Sequence, residues 1–304
     1  MRRIKLARRL QLISDLLPRK YPIKAQSPLD HLPFFVLGSG RNGSTMLNRM
    51  LNQHSEVFLP SEQYFLGNSI IKFKLYNFLI WRDLVKIITG ELMPVTGSHT
   101  WDFFAEDVFD LLNNTPSRDL ESVIDLIYRT YGGKSQRFTT WGDTTPLNTL
   151  YAPEIYSVFP KSKYIFLLRD GRDVVASNKK GGSYLGELSD PEKSAKHWLN
   201  SIDKYDWLRK RTDVLLVKYE ELVSQPEAKL HEICNFLNIE FQMEMLDFHR
   251  IDLQNSLYLE PQHRNLQKPV FKSSIGNYRD DLTEEELAMV NGLLKTNLAR
   301  FEYS

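Results

Sequence analysis

The stretch from Pro33 to Leu51 constrains the fold of this chain more than any other. The short apolar run Pro33-Phe34-Phe35-Val36-Leu37 stops at a glycine, as a buried parallel strand does. After the loop Gly38-Ser39-Gly40-Arg41-Asn42-Gly43-Ser44, the run Thr45-Met46-Leu47-Asn48-Arg49-Met50-Leu51 continues at helical spacing. Strand, glycine loop and helix in this order are the building unit of a parallel α/β sheet. Two glycines separated by four residues let the backbone approach an anion, and the following helix start adds N–H groups and a favourable dipole. Ser44 and Thr45 supply hydroxyl donors. On spacing alone, a phosphate site and a plain turn between strand and helix both fit.

Two further apolar runs read as buried strands, Lys163-Tyr164-Ile165-Phe166-Leu167-Leu168 and Asp213-Val214-Leu215-Leu216-Val217-Lys218. Their alternation with helical patterns predicts an α/β fold, a parallel central sheet flanked by helices. Residues 64 to about 135 carry aromatics at helical periods (Ile70, Phe73, Phe78, then Phe103, Phe104, Val108, Phe109), broken at Pro94 and Gly97-Ser98, and read as a helical insertion over the sheet. Thr283 with Glu286 three residues on marks the start of a last helix. A chain of 304 residues accommodates this as one domain over 31–304, preceded by a basic arm or helix over 1–30.

Lys and Arg number 39 against 38 Asp and Glu, so the total charge announces no nucleic acid and any anion site must be local. Cys234 is the single cysteine and sits in an apolar stretch, where it reads as a small buried hydrophobe. With no signal-peptide pattern at the N-terminus, a reducing, cytoplasmic location is expected. Ile4, Leu6, Leu10, Ile13, Leu16 and Leu17 among Arg2, Arg3, Lys5, Arg8 and Arg9 fit a helix packed on its own domain or a frayed arm, and equally a basic amphipathic helix in peripheral contact with a membrane.

A nucleotide kinase needs lysine where Ser44 stands and a metal ligand beside it; Asp170 near a strand end offers the latter. The cation inside this loop is Arg41 instead. Phosphate and sulfate together carry less charge than a triphosphate, and an arginine with backbone donors suffices for them without Mg²⁺. A second cationic segment, Arg169-Asp170-Gly171-Arg172-Asp173-Val174-Val175-Ala176-Ser177, follows the strand that ends at Leu168. It places Arg169 at the strand's C-terminal edge, where ligands of open α/β sheets collect, and Ser177 about two helical turns on. A solvated ion-pair cluster among Arg169, Asp170, Arg172 and Asp173 is the competing reading.

Arg41-Asn42-Gly43-Ser44-Thr45 preceded by Phe35-Val36-Leu37-Gly38 resembles the 5′-phosphosulfate loop of the tyrosylprotein, carbohydrate and bacterial sulfotransferases. The resemblance implies a P-loop NTPase-like sulfotransferase fold. It also implies a co-substrate, 3′-phosphoadenosine 5′-phosphosulfate, leaving as 3′,5′-ADP, with Arg41, Asn42, Gly43, Ser44 and Thr45 at its 5′ end. Arg169 and Ser177 match the family's 3′-phosphate pair in type and spacing, which gives both anion segments one ligand. Val217-Lys218-Tyr219-Glu220 is similar to the family's strand-end segment, where Tyr219 approaches the 3′-phosphate side; an amphipathic strand cap is the alternative. Phe271 to Arg279 resembles the late loop that closes over the nucleotide, with Ser274, Tyr278 and Arg279 as contacts.

Sulfuryl transfer needs a group to take the proton of the acceptor hydroxyl. The helix after the loop runs out near His54, and Ser55 to Glu62 is expected as the next strand, ending with Glu62 beside the loop. Glu62 falls where relatives carry their catalytic glutamate, so the resemblance implies Glu62 as base and Arg41 as the leaving-group cation. Without the resemblance, Glu62 as a helix cap is the equal reading. His54 reads as a structural residue at the helix end. Gly142-Asp143-Thr144-Thr145-Pro146 resembles a Gly-Asp-Lys-Thr-Pro segment of bacterial members with Thr144 in place of the lysine, which leaves Arg41, Lys179 or Lys180 to act at the leaving oxygen. No His, Cys or acid grouping has metal-ligand spacing, so no metal is expected. The acceptor is a hydroxyl of a carbohydrate, lipid, natural product or peptide tyrosine. A small-metabolite kinase and a non-catalytic nucleotide-binding or membrane-docking protein are the other readings.

Overall fold

A computed structural model describes residues 18–92, 105–132, 138–250 and 274–303. The basic segment over 1–17 lies outside the described residues, as do Phe103, Phe104, Pro94, Gly97 and Ser98 of the insertion and Phe271 to Ser273 of the late loop. Five strands form one parallel sheet: β1 (Phe34–Leu37), β2 (Val57–Phe58), β3 (Thr140–Asp143), β4 (Lys163–Leu168) and β5 (Val214–Lys218), in the order β2-β3-β1-β4-β5. β1 stands at the centre, with Phe34 opposite both Gly142 and Lys163 and Leu37 opposite Phe166.

Side chains alternate along each strand, and both faces are covered. Phe35 and Leu37 of β1, with Tyr164, Phe166 and Leu168 of β4, join one apolar cluster. Phe34 and Val36, with Ile165 and Leu167, join the other. Helix α1 (Ser44–Leu51) packs on the second face through Leu47, Met50 and Leu51, together with Leu230, Ile233 and Cys234 of a later helix. Cys234 is fully buried, and that burial pushes its thiol up to about 11, so it is the inert hydrophobe its surroundings suggested. The first face carries the helices α2 (Leu66–Leu75), α3 (Trp81–Leu92), α4 (Ala105–Asn114) and α5 (Leu120–Gly132), which form the expected helical tract between β2 and β3. The capping box at Thr283 forms as its spacing implied, Thr283 and Glu286 each accepting the other's backbone N–H. Among the described residues no helix is long and apolar enough to cross a membrane.

Two strand expectations differ from the structure. The strand expected over Ser55 to Glu62 is confined to Val57 and Phe58, and residues 59–63 run on without regular structure, bent at Ser61 and tied by side chains. β3 carries no apolar run to announce it: its sequence is Thr-Trp-Gly-Asp. Gly142 is required there, because a Cβ at that position would stand 2.6 Å from the Phe34 ring and 2.7 Å from Leu59.

From β3 the chain turns through residues 143–151 and reaches back to the glycine loop. Thr149 Oγ1 accepts a hydrogen bond from the Gly38 N–H at 2.8 Å and donates one to the Gly38 carbonyl at 2.7 Å, both buried. Substituting Thr149 by the isosteric valine leaves both backbone groups of Gly38 without a partner, at about 1–3 kcal/mol each. Thr149→Val is expected to lower the stability by about 2–4 kcal/mol in urea unfolding, with no change of the denaturant slope.

Candidate active site

The loop between β1 and α1 is built from backbone conformations that side chains rarely adopt. Gly40 and Gly43 have φ of 76° and 92°, and Arg41, which carries a side chain, has φ 53°. A left-handed arginine costs about 1–2 kcal/mol, and such outliers gather at functional sites. Gly43 is the N-cap of α1, without a side-chain cap and without an acid in the first turn. The first-turn N–H groups therefore have no intrahelical carbonyl, and the positive end of the helix dipole faces the loop. A Cβ on Gly43 would stand 2.5 Å from the Tyr219 ring, so the loop and the end of β5 are in contact. Ser44 is buried and Thr45 half-buried at the same turn.

Asn42 departs from expectation. Its amide donates to the Leu167 carbonyl at 2.6 Å, the side chain is 1% exposed, and its Oδ1 is buried without a partner among the described residues. The side chain is turned into the sheet, so Asn42 braces the loop against β4 and does not offer its amide to a ligand.

The second cationic segment meets the first directly. Helix α7 (Gly171–Gly181) follows β4, after α6 (Ala152–Val158), and carries Ser177, whose Oγ accepts from Arg41 Nε at 3.0 Å. Arg169 donates from one terminal nitrogen to the Arg41 carbonyl at 2.9 Å and from the other to the Ser274 carbonyl. Its guanidinium lies 4.6 Å from the centre of the Tyr219 ring, and the Tyr219 hydroxyl shares a 2.7 Å hydrogen bond with that of Ser274. Arg41, Gly43, Arg169, Ser177, Tyr219 and Ser274 thus form one cluster at the C-terminal ends of β1, β4 and β5.

Arg169 retains unspent donors. It is buried, its Nε has no partner among the described residues, and Asp173 stands 3.9 Å away. The Asp173 carboxylate is engaged by the backbone N–H groups of Gly276 and Tyr278, at 2.8 and 3.1 Å, which docks the late loop on α7. The ion pairs considered among Arg169, Asp170, Arg172 and Asp173 are buried rather than solvated. Arg172 makes a buried forked pair with Asp170, at 2.7 to 3.2 Å, and lies 4.3 Å over the Tyr278 ring. Tyr278 is buried between Arg172 and the exposed Arg279, so these two sequence-expected residues sit one contact outside the cluster.

Glu62 is delivered to the other side of α1. Asn52 holds Leu59 through both its N–H and its carbonyl, at 2.9 and 2.7 Å. Asn48 donates to the Pro60 carbonyl and to the Thr144 hydroxyl, both at 2.8 Å, and the Gln63 N–H donates to Thr145 Oγ1 at 2.7 Å. Helix α2 begins at Leu66 with Phe65 as its uncapped N-cap, so Glu62 is not a helix cap. Its carboxylate accepts from the Tyr64 hydroxyl at 2.6 Å. His54 is the structural residue expected: it is 1% exposed, with Nε2 on the Glu240 carbonyl at 2.7 Å and Nδ1 accepting from the Glu56 N–H.

The two lysines considered for the leaving group are engaged elsewhere. Lys179 pairs with Glu286 at 2.6 Å and Lys180 with Asp281 at 2.7 Å, both toward the C-terminal helices. Arg41 is left from that set. Thr144 accepts from Asn48 where a lysine stands in the resembling segment, and an ideal Cβ on Gly40 would meet Pro146 at 3.3 Å, so the turn after β3 borders the loop.

Residues 33–243 match the Sulfotransferase family. The chain belongs to the sulfotransferase family. A Caenorhabditis briggsae protein named "Putative protein-tyrosine sulfotransferase" is 24% identical over 240 residues, 76% of each chain. Protein-tyrosine sulfotransferase A of Caenorhabditis elegans is 25% identical over 223 residues, 70% of this chain and 52% of that one. Among solved structures, the sulfotransferase domain of the Synechococcus PCC 7002 olefin synthase superposes with a TM-score of 0.58 at 19% identity, covering 88% of this chain and 97% of that one. The parallel sheet with its loop at the end of β1 is thus the P-loop-like sulfotransferase fold.

His197 of this sulfotransferase escaped the sequence reading, because nothing in its spacing sets it apart on a long amphipathic helix, α8 (Pro191–Arg209). Its Nε2 meets the Ser39 carbonyl at 3.1 Å, bracing the loop from the first face. Burial pushes His197 below its usual value, opposed by that hydrogen bond. Because the folded pKa is depressed, the unfolded chain binds the proton more readily, and stability is lost as pH falls below about 6.5. Melting temperatures measured between pH 8 and pH 5 are expected to fall less steeply in His197→Gln than in the wild type.

Proposed function

We propose that this sulfotransferase takes the sulfuryl group from 3′-phosphoadenosine 5′-phosphosulfate to an acceptor hydroxyl, with Glu62 as general base. The observation that carries the reading is the contact between the two anion segments, Arg41 on Ser177 and Arg169 on the Arg41 carbonyl. Two cations of separate strand ends meeting in one cluster suit a ligand with anionic groups close together at both ends. The unspent Nε of Arg169 fits such a ligand on independent grounds. Arg41, the first-turn N–H groups of α1 and the hydroxyls of Ser44 and Thr45 would hold the 5′ end, while Arg169 and Ser177 hold the 3′-phosphate and Tyr219 with Ser274 wall that side.

In the reaction, the acceptor oxygen bonds to sulfur as the bond from sulfur to the bridging oxygen breaks. The acceptor proton passes to Glu62, and the negative charge left on the phosphate is met by Arg41 and the loop N–H groups. The segment that carries Glu62 is fixed to α1 through Asn48 and to the turn after β3 through Thr145, which keeps the base in register with the loop. The relatives' names make a peptide tyrosine the first acceptor to offer, with carbohydrate, lipid and natural-product hydroxyls beside it.

Adding 3′,5′-ADP is expected to raise the melting temperature, by about 2.7 kcal/mol of stabilisation at a hundredfold excess over Kd, and Arg169→Ala is expected to abolish the shift. Stabilisation by ATP with Mg²⁺ and none by 3′,5′-ADP would overturn the donor assignment. With labelled donor and the acceptor panel, Glu62→Gln is expected to lower kcat about 10²- to 10⁴-fold while the 3′,5′-ADP shift persists.

A further inference from the structure

The segment that carries Glu62 has no regular secondary structure, bends at Ser61 and Tyr64, and alternates in burial. Gln63 and Phe65 are buried at 1% and 2% exposure, whereas Glu62 and Tyr64 turn to the opposite side, Tyr64 remaining 48% exposed. The two side chains meet on that side through a 2.6 Å hydrogen bond from the Tyr64 hydroxyl to Glu62 Oε2.

The backbone beneath them is pinned on both sides. The Pro60 carbonyl is held by Asn48 and the Gln63 N–H by Thr145, and the buried Phe65 packs with its ring 5.6 Å from that of Tyr128. A glutamate on such a segment still has three side-chain torsions to settle, whereas a tyrosine has two and a rigid ring. Fixing one carboxylate oxygen to that ring selects a narrow set of Glu62 rotamers.

We propose that Tyr64 is a positioning residue for sulfuryl transfer, holding the Glu62 carboxylate in the orientation from which it takes the acceptor proton. The inference rests on the reading of Glu62 as base. It assigns Tyr64 no contact with the donor.

The test compares Tyr64→Phe with Glu62→Gln, using labelled 3′-phosphoadenosine 5′-phosphosulfate and two probe acceptors, p-nitrophenol and a tyrosine-containing peptide. Tyr64→Phe is expected to lower kcat about tenfold with the donor KM and the 3′,5′-ADP melting shift unchanged, a split that general loss of structure does not produce. A kcat within twofold of wild type, or a loss of donor affinity equal to the loss of kcat, overturns the inference.

A second measurement needs no turnover. In protein labelled at tyrosine Cζ, the carbon resonance missing from Tyr64→Phe identifies Tyr64, and it is expected to move in Glu62→Ala. A resonance at the same position in wild type and Glu62→Ala overturns the contact. If Glu62→Gln keeps full turnover, the base assignment falls and the proposed role of Tyr64 with it. If Glu62→Gln is inactive while Tyr64→Phe matches wild type, only the role of Tyr64 falls.

Discussion

The arrangement of the site depends on a buried carboxylate that touches no ligand. Asp143, at the end of β3, is 1% exposed, and neutral donors surround it: the Tyr128 hydroxyl, the Thr145 N–H at 2.7 Å and the Asn148 amide at 3.0 Å. Burial pushes the carboxyl above its usual range while these hydrogen bonds pull it down. The Tyr128 phenol is pushed far up by burial and by Asp143, so it keeps its proton and remains a donor. With its donors fixed, Asp143 sets the shape of the turn that follows. That turn sends Thr145 to Gln63 beside Glu62, Pro146 to Gly40 and Thr149 to Gly38. Glu62 and the glycine loop come from segments about twenty residues apart, and one turn registers both.

The cationic half of the site solves a different problem, which is how to hold two arginines close together. Like charges repel, and at a surface they would be spread and solvated. Here Arg169 is buried and spends two terminal donors on carbonyls, of Arg41 and Ser274, which lend partial negative charge, with the Asp173 carboxylate 3.9 Å away. The Tyr219 ring beneath it adds a favourable face. Glu220, the next residue, accepts from the Asp170 N–H and from the Tyr303 hydroxyl, fixing the end of β4 to the end of β5. The left-handed backbone of Arg41 is sustained by this scaffold, since its carbonyl and its side chain are both engaged.

How much of this was legible follows from where each signal lies in the chain. β1, β4 and β5 are apolar runs that end at a glycine or a charged residue, and both anion segments stand directly after two of them, so local pattern found them. β3 carries a glycine and an aspartate that disfavour strands, and its place between β1 and β2 is fixed by packing against Phe34 and Leu59. Asn42 was assigned to a ligand because its neighbours are; only the contact with Leu167, 125 residues away, shows its inward turn. Lys179 and Lys180 looked available for the same reason, since Glu286 and Asp281 lie about a hundred residues on. Residue type and spacing report what a segment could offer, and distant partners decide which offers remain open.

The same turn also limits where acceptor recognition can reside. Helix α2 begins three residues after Gln63 and is docked on Tyr151: a Cβ on Gly67 would meet that ring at 2.1 Å, and the Tyr151 hydroxyl donates to Asn68 at 2.8 Å. The start of the helical tract is therefore as firmly registered as the base, and by residues of the same 143–151 stretch. Beyond it, α3 and α4 pack within the apolar cluster of the first face through Leu84, Val85, Ile88, Val108 and Leu112, on side chains that hold neither the loop nor Glu62. Surface substitutions along those helices leave in place the contacts by which the Asp143 turn holds the loop and the Glu62 segment.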